Sequence, residues 1–305
     1  MGEQSKISWT HHTFNPWIGC TKVSPGCKHC YAEGTAKFRG WAEWGPGKPR
    51  KPKAESGWKE PLAWNRKAEA ARVFRRVFCA SLADVFDDEA PEGGRERLAR
   101  TIAATPNLIW MLLTKRPERI HSYRPLFRRY GKRIWLGATM ENQEWFETRW
   151  PILCKEHWAA VRFASMEPLL GPIHIPPQAI APAVVKNGVH HGTHQLNWII
   201  TGGESGFAAT VRPMHPEWVR PIRNICQAQA VPFHFKQWGE FWPATGADTP
   251  AGEAPPVITD KTRTHTWPDG MKSYRVGTKN TFHILDGRIW QQFPPDPRPE
   301  PMELF

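Results

Sequence analysis

The sequence predicts an α/β protein, namely a partial or full βα (TIM-like) barrel with a short C-terminal β-hairpin extension. Six short apolar runs begin 26 to 36 residues apart, which is the length of one strand followed by one helix. Amphipathic segments of helical periodicity lie between several of these runs. Polar or charged residues follow each run at once, as they do at the mouth of a βα barrel, where the carboxyl ends of all strands meet.

The six predicted strands are apolar on both faces, which a parallel strand buried on both sides requires. They comprise residues 76–80, 107–113, 133–137, 160–164, 196–200 and 231–235. Amphipathic helices are predicted over residues 94–104, 142–158 and 216–230. This alternation is typical of an α/β repeat and excludes an all-β chain.

Each predicted strand ends in small, polar or charged side chains, and these form the main set of candidate site residues. A loop that only joins a strand to a helix needs a turn residue and an N-cap, not a charged residue six times in succession. We therefore predict that these side chains face an active-site cavity. The candidates are Ser81, Asp84, Lys115, Arg116, Thr139, Glu141, Glu167, Gly202, Gly203, Glu204 and Lys236.

The composition indicates a globular protein with an unusually basic balance. The 305 residues include 41 Lys and Arg against 29 Asp and Glu, which gives a formal net charge of +12, and there are 17 Trp. Basic charge combined with aromatic side chains suits a phosphate backbone and stacked bases, so we predict a nucleic acid or nucleotide as substrate. The alternative is that most Trp residues belong to the core and that the charge only aids solubility.

No membrane association is predicted, because no apolar run approaches the ~18 residues of a spanning helix. The first six residues include an acid and no apolar stretch, so we expect no secretory signal and a cytoplasmic location.

Residues 1–240 are predicted to form the barrel domain with an N-terminal cysteine loop. Residues 241–305 are predicted to form a linker, around 248–256, and a C-terminal extension that packs on the barrel, with a hairpin over 271–294.

Two segments depart from the βα repeat. Residues 45–53 form a Pro-rich basic loop, which is either a solvated surface excursion or an arm that contacts phosphates. Residues 172–195 carry His190, His191 and His194 and are interpreted as a lid or a substrate wall at the barrel mouth. A hydrolytic metal site built from these three histidines is a further, weaker hypothesis, because the loop lacks a strand or helix to fix the ligands.

Three of the six cysteines cluster in one Gly/Pro-containing loop. Cys20, Cys27 and Cys30 are spaced C-x6-C-x2-C, and a C-x2-C pair lets two thiolates reach one metal site. An open iron–sulfur cluster is favoured, because a [4Fe–4S] cube with three thiolates keeps one iron free for a substrate or cofactor. The alternatives are a structural zinc site with His11, His12 or His29 as fourth ligand, and no metal at all. Cys79, Cys154 and Cys226 occur singly and are expected to be buried small hydrophobes.

The cysteine loop before a βα repeat resembles that of the radical S-adenosylmethionine superfamily. Over nearly its whole length, the chain is also similar to a phage-associated three-Cys-motif protein family of unknown function. The segments that carry this second resemblance are ISWT at 7–10, TFNPWIGC at 13–20, CKHCYAE at 27–33, LTKRP at 113–117, WLG at 135–137, SMEPLLG at 165–171, GGESG at 202–206, FKQWG at 235–239 and LDGRIW at 285–290.

The superfamily resemblance implies a mechanism and a set of residue roles. Cys20, Cys27 and Cys30 would ligate a [4Fe–4S] cluster, and S-adenosyl-L-methionine would bind the remaining iron and yield a 5′-deoxyadenosyl radical. His29 would lie against adenine. The longer first spacing and the late Gly202-Gly203-Glu204 depart from the superfamily's usual C-x3-C-x2-C and from its early Gly-Gly-Glu. The implied cofactor-binding residues are His29, Ser81, Asp84, Lys115, Arg116, Thr139, Glu141, Gly202 and Gly203, and the implied catalytic residues are Glu167, Glu204 and Lys236.

The resulting prediction is an iron–sulfur radical S-adenosylmethionine-type enzyme that modifies or repairs a nucleic-acid component. It would work in the cytoplasm of a bacterium or phage-infected host, with an external electron donor and a possible partner protein. The alternative is a nucleic-acid-binding protein that has a structural zinc or redox-sensing iron–sulfur site and no catalysis.

Overall fold

The computed structural model describes residues 5–186, 189–191, 194–206, 209–245, 249 and 254–296. Its strands, in chain order, are β1 (His12–Thr13), β2 (Trp17–Ile18), β3 (Lys51–Pro52), β4 (Arg75–Cys79), β5 (Leu108–Thr114), β6 (Ile134–Thr139), β7 (Val161–Met166), β8 (Val184–Lys186), β9 (Val189–His191), β10 (Trp198–Thr201), β11 (Phe233–Phe235), β12 (Phe241–Pro243), β13 (Thr264–Thr266), β14 (Lys272–Arg275), β15 (Ile284–Leu285) and β16 (Arg288–Ile289). Seven of them form the main sheet, in the order β1-β4-β5-β6-β7-β10-β11.

Every neighbouring pair in this sheet is parallel. Strand order across the sheet follows chain order, so each crossover advances the sheet in the same direction. This is the winding of a βα barrel, whereas a doubly wound sheet reverses direction at a switch point. The edge strands β1 and β11 do not pair with each other in the described part of the chain, so the barrel is partial. The predicted fold class is confirmed, and the six predicted strands begin within two residues of the observed ones.

The α-helices are α1 (Tyr31–Phe38), α2 (Glu60–Ala70), α3 (Gly94–Ala103), α4 (Ile120–Phe127), α5 (Gln143–Cys154) and α6 (Pro216–Ala228). Side-chain caps start two of them: Asn142 Oδ1 accepts from the Trp145 N–H at 3.1 Å, and His215 Nδ1 accepts from the Glu217 N–H at 3.1 Å. Helix α5 ends four residues before the predicted boundary, and Glu156, which follows it, is buried and pairs with Arg124 at 2.9 Å.

Apolar side chains cover both faces of the sheet. One layer, which includes Trp110 and Leu136, packs between the sheet and the helices. A second layer, which includes Phe78, Met111 and Trp198, fills the inside of the partial barrel. Nine of the 17 Trp side chains are buried, so about half of the Trp content serves the core.

Segments near the two ends of the chain fill the open side of the barrel. Ser8 Oγ lies 2.8 Å from His234 Nε2 in β11, and so links the segment before β1 to the far edge of the sheet. From the other end, the Phe293 ring packs against Trp198 and His234, with centroid distances of 5.5 and 5.2 Å. Arg76 of β4 pairs with Asp296 at 3.0 Å. These contacts cover the inner apolar layer that two unpaired edges would otherwise expose to water.

The segment after β11 contains a three-stranded antiparallel sheet, in the order β12-β14-β13, and a small hairpin in which Ile284 pairs with Ile289. The hairpin predicted over 271–294 is therefore shorter than expected, because β14 pairs with β12 and β13 instead. Most of the predicted linker at 248–256 lies outside the described residues. Within the residues that can be described, no helix has the length and apolar character needed to cross a membrane.

The small hairpin is attached to α6 through Asp286. Arg220 donates two hydrogen bonds to Asp286 Oδ1, at 3.0 and 2.8 Å, and Arg223 donates to Oδ2. Partial burial alone would raise the pKa of Asp286, but the bonds from the two guanidinium groups outweigh it and hold the pKa below its ordinary value of 3.8.

An Asp286→Asn variant is expected to lower the free energy of unfolding by about 1 kcal/mol at neutral pH, because it removes the charge from this ion-pair network. The stabilisation from a carboxyl group with a depressed pKa is present above pH 3.8 and is lost as the pH falls through the depressed value. Urea unfolding of both proteins should therefore show a difference at neutral pH that shrinks below pH 3.8 and disappears below the depressed pKa of Asp286. If the two proteins differ in stability by the same amount at neutral and at acidic pH, the ion pairs of Asp286 do not stabilise the fold.

Candidate functional site

A cavity of about 750 Å³ lies at the carboxyl ends of the main-sheet strands. This is a normal volume for a site that binds a small molecule or cofactor. Segments near both ends of the chain complete its wall. The residues that line it are Lys6, Ile7, Ser8, Trp9, Cys20, Thr21, Cys27, Cys30, Tyr31, Ala32, Trp44, Phe78, Ala80, Ser81, Ala83, Asp84, Leu113, Thr114, Lys115, Arg116, Thr139, Ser165, Glu167, Ser205, Lys236, Gln237, Thr278, His283 and Gln291.

All three clustered cysteines line this cavity. Their loop runs from the end of β2 to the start of α1, which begins directly after Cys30. The thiols are not drawn together as a ligand set: in the described segments, no three His, Cys, Asp or Glu side chains are grouped so that they could hold a metal ion. Cys20 Sγ donates instead to the Thr21 carbonyl at 3.5 Å. The sequence therefore brings three thiols to one wall, but among the described residues they do not form one group that could hold a metal ion.

Side chains from three strand ends hold the cysteine loop in place. After β5, Arg116 Nη2 donates to the Thr21 carbonyl at 2.8 Å, and its Nη1 lies 3.6 Å from Cys20 Sγ. After β6, Glu141 Oε1 accepts from the Gly26 N–H at 3.0 Å. After β10, Arg212 Nη2 donates to the Pro25 carbonyl at 3.0 Å. Two charged residues that the sequence predicted as site residues, Arg116 and Glu141, therefore position the cysteine loop.

Glu141 is fully buried and pairs with a second buried charge. Its Oε2 lies 2.8 Å from Arg149 Nη1, and the same nitrogen donates to the Thr139 carbonyl at 2.7 Å. Both side chains are almost completely excluded from water. A buried carboxylate of this kind needs its partners, because an unpaired charge in the interior is strongly unfavourable.

Glu204 forms a second buried cluster beside the loop. It accepts from His29 Nδ1 at 2.9 Å and from the Arg212 backbone N–H at 2.8 Å, and it pairs with the Arg212 guanidinium. Burial alone would raise the pKa of Glu204, but the hydrogen bonds from Arg212 and His29 outweigh it and hold the pKa below its ordinary value. His29 Nε2 lies 2.9 Å from Thr210 Oγ1, so both ring nitrogens of His29 have partners.

Burial is the largest influence on the pKa of the Cys20 and Cys30 thiols. It raises the pKa of Cys20 to about 12, with a further contribution from the negative charge of Asp84, and it also raises the pKa of Cys30. Burial pulls the pKa of Lys115 down, but the negative charges that Cys27 and Cys30 carry as thiolates, together with that of Glu141, outweigh it and hold that pKa above its ordinary value. The Cys20 and Cys30 thiols are thus protonated at neutral pH, next to cations that would stabilise thiolates.

Asp84 lines the cavity, but its oxygens are already engaged. Oδ1 accepts from Thr114 Oγ1 at 2.7 Å and from the Phe86 N–H at 2.9 Å. Oδ2 accepts from the Lys115 N–H at 3.0 Å and pairs with Arg116 at 3.1 Å. Asp84 therefore orders the loop after β5 and fixes Arg116 against the cysteine loop.

Glu167 and Lys236 form an ion pair in the cavity wall, with Oε2 and Nζ 2.7 Å apart. Ser165 Oγ donates to the other oxygen of Glu167 at 3.3 Å. On the same wall, Lys115 Nζ donates to Thr139 Oγ1 at 3.2 Å and pairs with no carboxylate in the described part of the chain. These polar groups come from the ends of β5, β6, β7 and β11 and face one space.

Ten of the fifteen predicted site residues line the cavity. They are Cys20, Cys27, Cys30, Ser81, Asp84, Lys115, Arg116, Thr139, Glu167 and Lys236. His29, Glu141, Gly202, Gly203 and Glu204 do not line it. Gly203 packs so closely on the loop after β11 that a Cβ atom would overlap the Trp238 carbonyl, which explains the glycine there.

The histidines considered for zinc have other partners. His11 Nδ1 accepts from the Arg76 N–H at 2.9 Å, and the His12 ring stacks on Trp64 at a centroid distance of 4.5 Å. The hypothesis of a hydrolytic metal site concerned His190, His191 and His194. His190 and His191 belong to β9, and their side chains lie outside the described part of the structure. The His194 ring packs on the His157 ring at a centroid distance of 5.4 Å. In the described part of the chain, no histidine joins the three cysteines.

The basic loop at 45–53 has most of its charges paired. Arg50 is buried between Asp87, at 2.7 Å, and Glu89. Lys48 pairs with Glu43 at 2.6 Å, and Lys53 pairs with Glu60 at 3.1 Å. The loop is therefore held against the body of the protein, which favours a structural role over an arm that reaches for phosphates.

Comparison with known protein families identifies one match that covers almost the whole chain. The model of the family described as "Protein of unknown function (DUF5131)" matches residues 4–294. The chain belongs to this DUF5131 family. This agrees with the prediction of a family of unknown function, and the residues that line the cavity fall within the matched range.

Solved structures of spore photoproduct lyase also align with this DUF5131 chain. A cysteine-to-alanine mutant of that enzyme gives a TM-score of 0.45 at 12% identity, over 90% of this chain and 71% of the other. The same mutant with dinucleoside spore photoproduct gives 0.44 at 11% identity, with the same coverage. A double mutant with bound AdoMet and dinucleoside spore photoproduct gives 0.43 at 11% identity, again over 90% and 71%. No curated protein matches the sequence.

The candidate list from the sequence missed several residues of the cavity wall. Trp9 is buried there against Phe78, at a centroid distance of 4.6 Å, and its indole N–H has no partner in the described residues. His283 and Gln291 reach the cavity from the segment after β11. Trp9 lies in the ISWT segment that carries the family resemblance, so the sequence held a signal for it. Nothing in the sequence pattern pointed to His283 or Gln291.

Proposed function

We propose that the protein is a radical S-adenosylmethionine-type iron–sulfur enzyme that acts on a nucleic-acid component. The observation that carries the proposal is the placement of Cys20, Cys27 and Cys30 on the wall of one cavity at the carboxyl ends of the parallel strands. In βα barrels this is the end of the fold where chemistry takes place. The sequence resemblance to the superfamily assigns a [4Fe–4S] cluster and S-adenosyl-L-methionine to that cavity.

The donor set fits an iron–sulfur cluster in its chemistry. Three thiols lie on one short loop, and Lys115 and Arg116 stand next to them. Because a coordinating thiol must lose its proton, iron binding would release protons from groups whose pKa is now raised. The two cations would then offset the charge of the thiolates. When bound, the cluster supplies the electron for reductive cleavage of S-adenosyl-L-methionine.

Residues around the cysteine loop would bind the cofactor and exclude water. Lys115 forms no direct ion pair with a carboxylate in the described part of the chain, so it is suited to the carboxylate of S-adenosyl-L-methionine or to a substrate phosphate. Ser81 and Thr139 offer hydroxyl groups in the same wall. Trp9 and Phe78 supply an apolar surface that would shield a reactive intermediate from solvent.

Glu167 and Lys236 are the proposed substrate-contacting pair. They are joined at 2.7 Å in the cavity wall and can exchange or hold a proton between Oε2 and Nζ. Glu204, predicted as catalytic, is assigned a positioning role instead, because it does not line the cavity and holds His29 and Arg212 against the cysteine loop. The net charge of +12 supports an anionic substrate such as a nucleic acid.

The test is reconstitution of the wild-type protein with iron and sulfide under anaerobic conditions, followed by analysis of iron, acid-labile sulfide and 5′-deoxyadenosine. We expect roughly four irons per chain, and we expect 5′-deoxyadenosine only when both S-adenosyl-L-methionine and dithionite are present. Omission of dithionite is the matched control. A brown, iron-loaded protein that makes no 5′-deoxyadenosine would exclude the proposed reaction, and a protein that takes up no iron would exclude the cluster.

A further inference from the structure

A strip of aromatic and basic side chains extends from the end of α1. We call Lys37, Phe38, Arg39, Trp41 and Trp44 the aromatic–basic strip. Phe38 is 85% exposed, which is the highest exposure of any large aromatic side chain in the described part. Burying such a ring normally contributes about 2 kcal/mol, so a ligand that covers the Phe38 ring would gain a stabilisation of this order.

Three of the five residues in the aromatic–basic strip connect it to the candidate active site. Lys37, Trp41 and Trp44 line a surface groove of about 620 Å³, and Trp44 also lines the cavity that contains the three cysteines. A ligand that lies along this groove would therefore reach the cavity mouth.

The charge of the strip is positive. Two carboxylates line the groove, but Glu33 pairs with Lys22 at 2.6 Å and Glu43 pairs with Lys48 at 2.6 Å. Lys37 and Arg39 pair with no carboxylate in the described part of the chain. The Arg39 guanidinium lies 5.8 Å from the centre of the Trp41 ring, close enough for a cation–π contact. The exposed Phe38 ring and the half-buried Trp41 and Trp44 rings thus alternate with cations that pair with no described carboxylate.

We infer that the aromatic–basic strip binds single-stranded nucleic acid beside the nucleotide that enters the cavity. The inference deepens the proposed function and rests on its choice of a nucleic-acid substrate. Bases of a single strand would stack on Phe38 and Trp41, while phosphates would pair with Lys37 and Arg39, which is how sequence-tolerant single-strand sites are built. A duplex would bind less well, because its bases are stacked on each other and not available to the rings.

The test is fluorescence anisotropy with a labelled oligothymidylate of about ten nucleotides. A Phe38→Ala variant is expected to bind about tenfold more weakly than the wild-type protein, because one base loses its stacking partner. Val257→Ala is the matched control, since Val257 is also 85% exposed and lies outside the strip. Equal affinities of the Phe38 and Val257 variants, or no binding by the wild-type protein, would overturn the inference.

Charge variants give an independent measurement. In Arg39→Gln, the slope of log affinity against log salt concentration should fall by about one, because one phosphate contact is lost. Phe38→Ala should leave that slope unchanged, since stacking releases no counterions. Lys155→Gln is the control, because Lys155 is an exposed lysine that follows α5, on the opposite end of the sheet. An Arg39 variant that behaves like the Lys155 variant would contradict the inference.

The inference and the proposed function can fail separately. Oligonucleotide binding needs no cluster chemistry, and 5′-deoxyadenosine formation can be measured without nucleic acid. A protein that forms 5′-deoxyadenosine but does not bind the oligonucleotide would contradict only the inference that the aromatic–basic strip binds nucleic acid. A protein that binds through the strip but forms no 5′-deoxyadenosine overturns the radical chemistry and leaves a nucleic-acid-binding protein.

Discussion

Replacement of Cys30 by alanine is expected to reduce cluster content and 5′-deoxyadenosine formation to the level seen without dithionite. Cys30 lies at the junction of the cysteine loop and α1, and its thiol lines the same cavity as Cys20 and Cys27. With three thiolates, one iron of a [4Fe–4S] cube is open to a cofactor; with two, the cube loses a protein ligand. The loss should be visible as absence of the brown chromophore after anaerobic reconstitution.

A Cys226→Ala variant provides the matched control. Cys226 is buried in α6 among apolar residues and does not line the cavity, so its removal should leave iron content unchanged. Cys20→Ala and Cys27→Ala are expected to behave like Cys30→Ala. If any one of these three variants keeps full iron content, that cysteine is not a ligand and the assignment of the open cluster is wrong.

Replacement of Glu141 by alanine is expected to lower the free energy of unfolding by about 3–5 kcal/mol. The substitution would leave Arg149 buried without its carboxylate partner, at present 2.8 Å away. It would also remove the acceptor for the Gly26 N–H, which anchors the cysteine loop. Glu141→Gln should be less damaging, because its amide oxygen can still accept one of these two hydrogen bonds.

Urea unfolding of the variants would measure these differences. Glu144→Ala is the control, because Glu144 is an exposed residue in the first turn of α5 and should cost less than about 1 kcal/mol. The Glu141 variants should also take up less iron than the Glu144 variant. A Glu141→Ala protein as stable as the control would show that Glu141 and Arg149 do not depend on each other in solution.

Much of the barrel could be predicted from local sequence. A strand such as Leu108–Thr114 is apolar on both faces, and a helix such as Pro216–Ala228 has one apolar face, so each is visible within its own segment. The polar ends of the strands followed from the same pattern, because they begin where the apolar run stops. This is why the sequence alone predicts that Lys115, Glu167 and Lys236 face one cavity, which they line.

Which of the charged residues face the cavity and which hold loops in place could not be predicted in this way. Asp84, Glu141 and Glu204 each follow a predicted strand, just as Glu167 does, yet their carboxylates are saturated by hydrogen bonds that hold loops. Whether a carboxylate faces a cavity or a backbone N–H depends on partners far away in sequence. Glu141 and Gly26, for example, are 115 residues apart.

The amino-acid sequence by itself determined the parallel α/β architecture, the position of the three cysteines in one loop and the basic character of the chain, because each depends on the order and chemistry of neighbouring residues. Only the tertiary structure decided that the barrel stays open, that its open side is filled by Ser8 and Phe293 from segments near the two ends, and that the strip from Lys37 to Trp44 reaches the cavity mouth. These features depend on packing between distant segments, where shape and burial, rather than periodicity, determine which side chains meet.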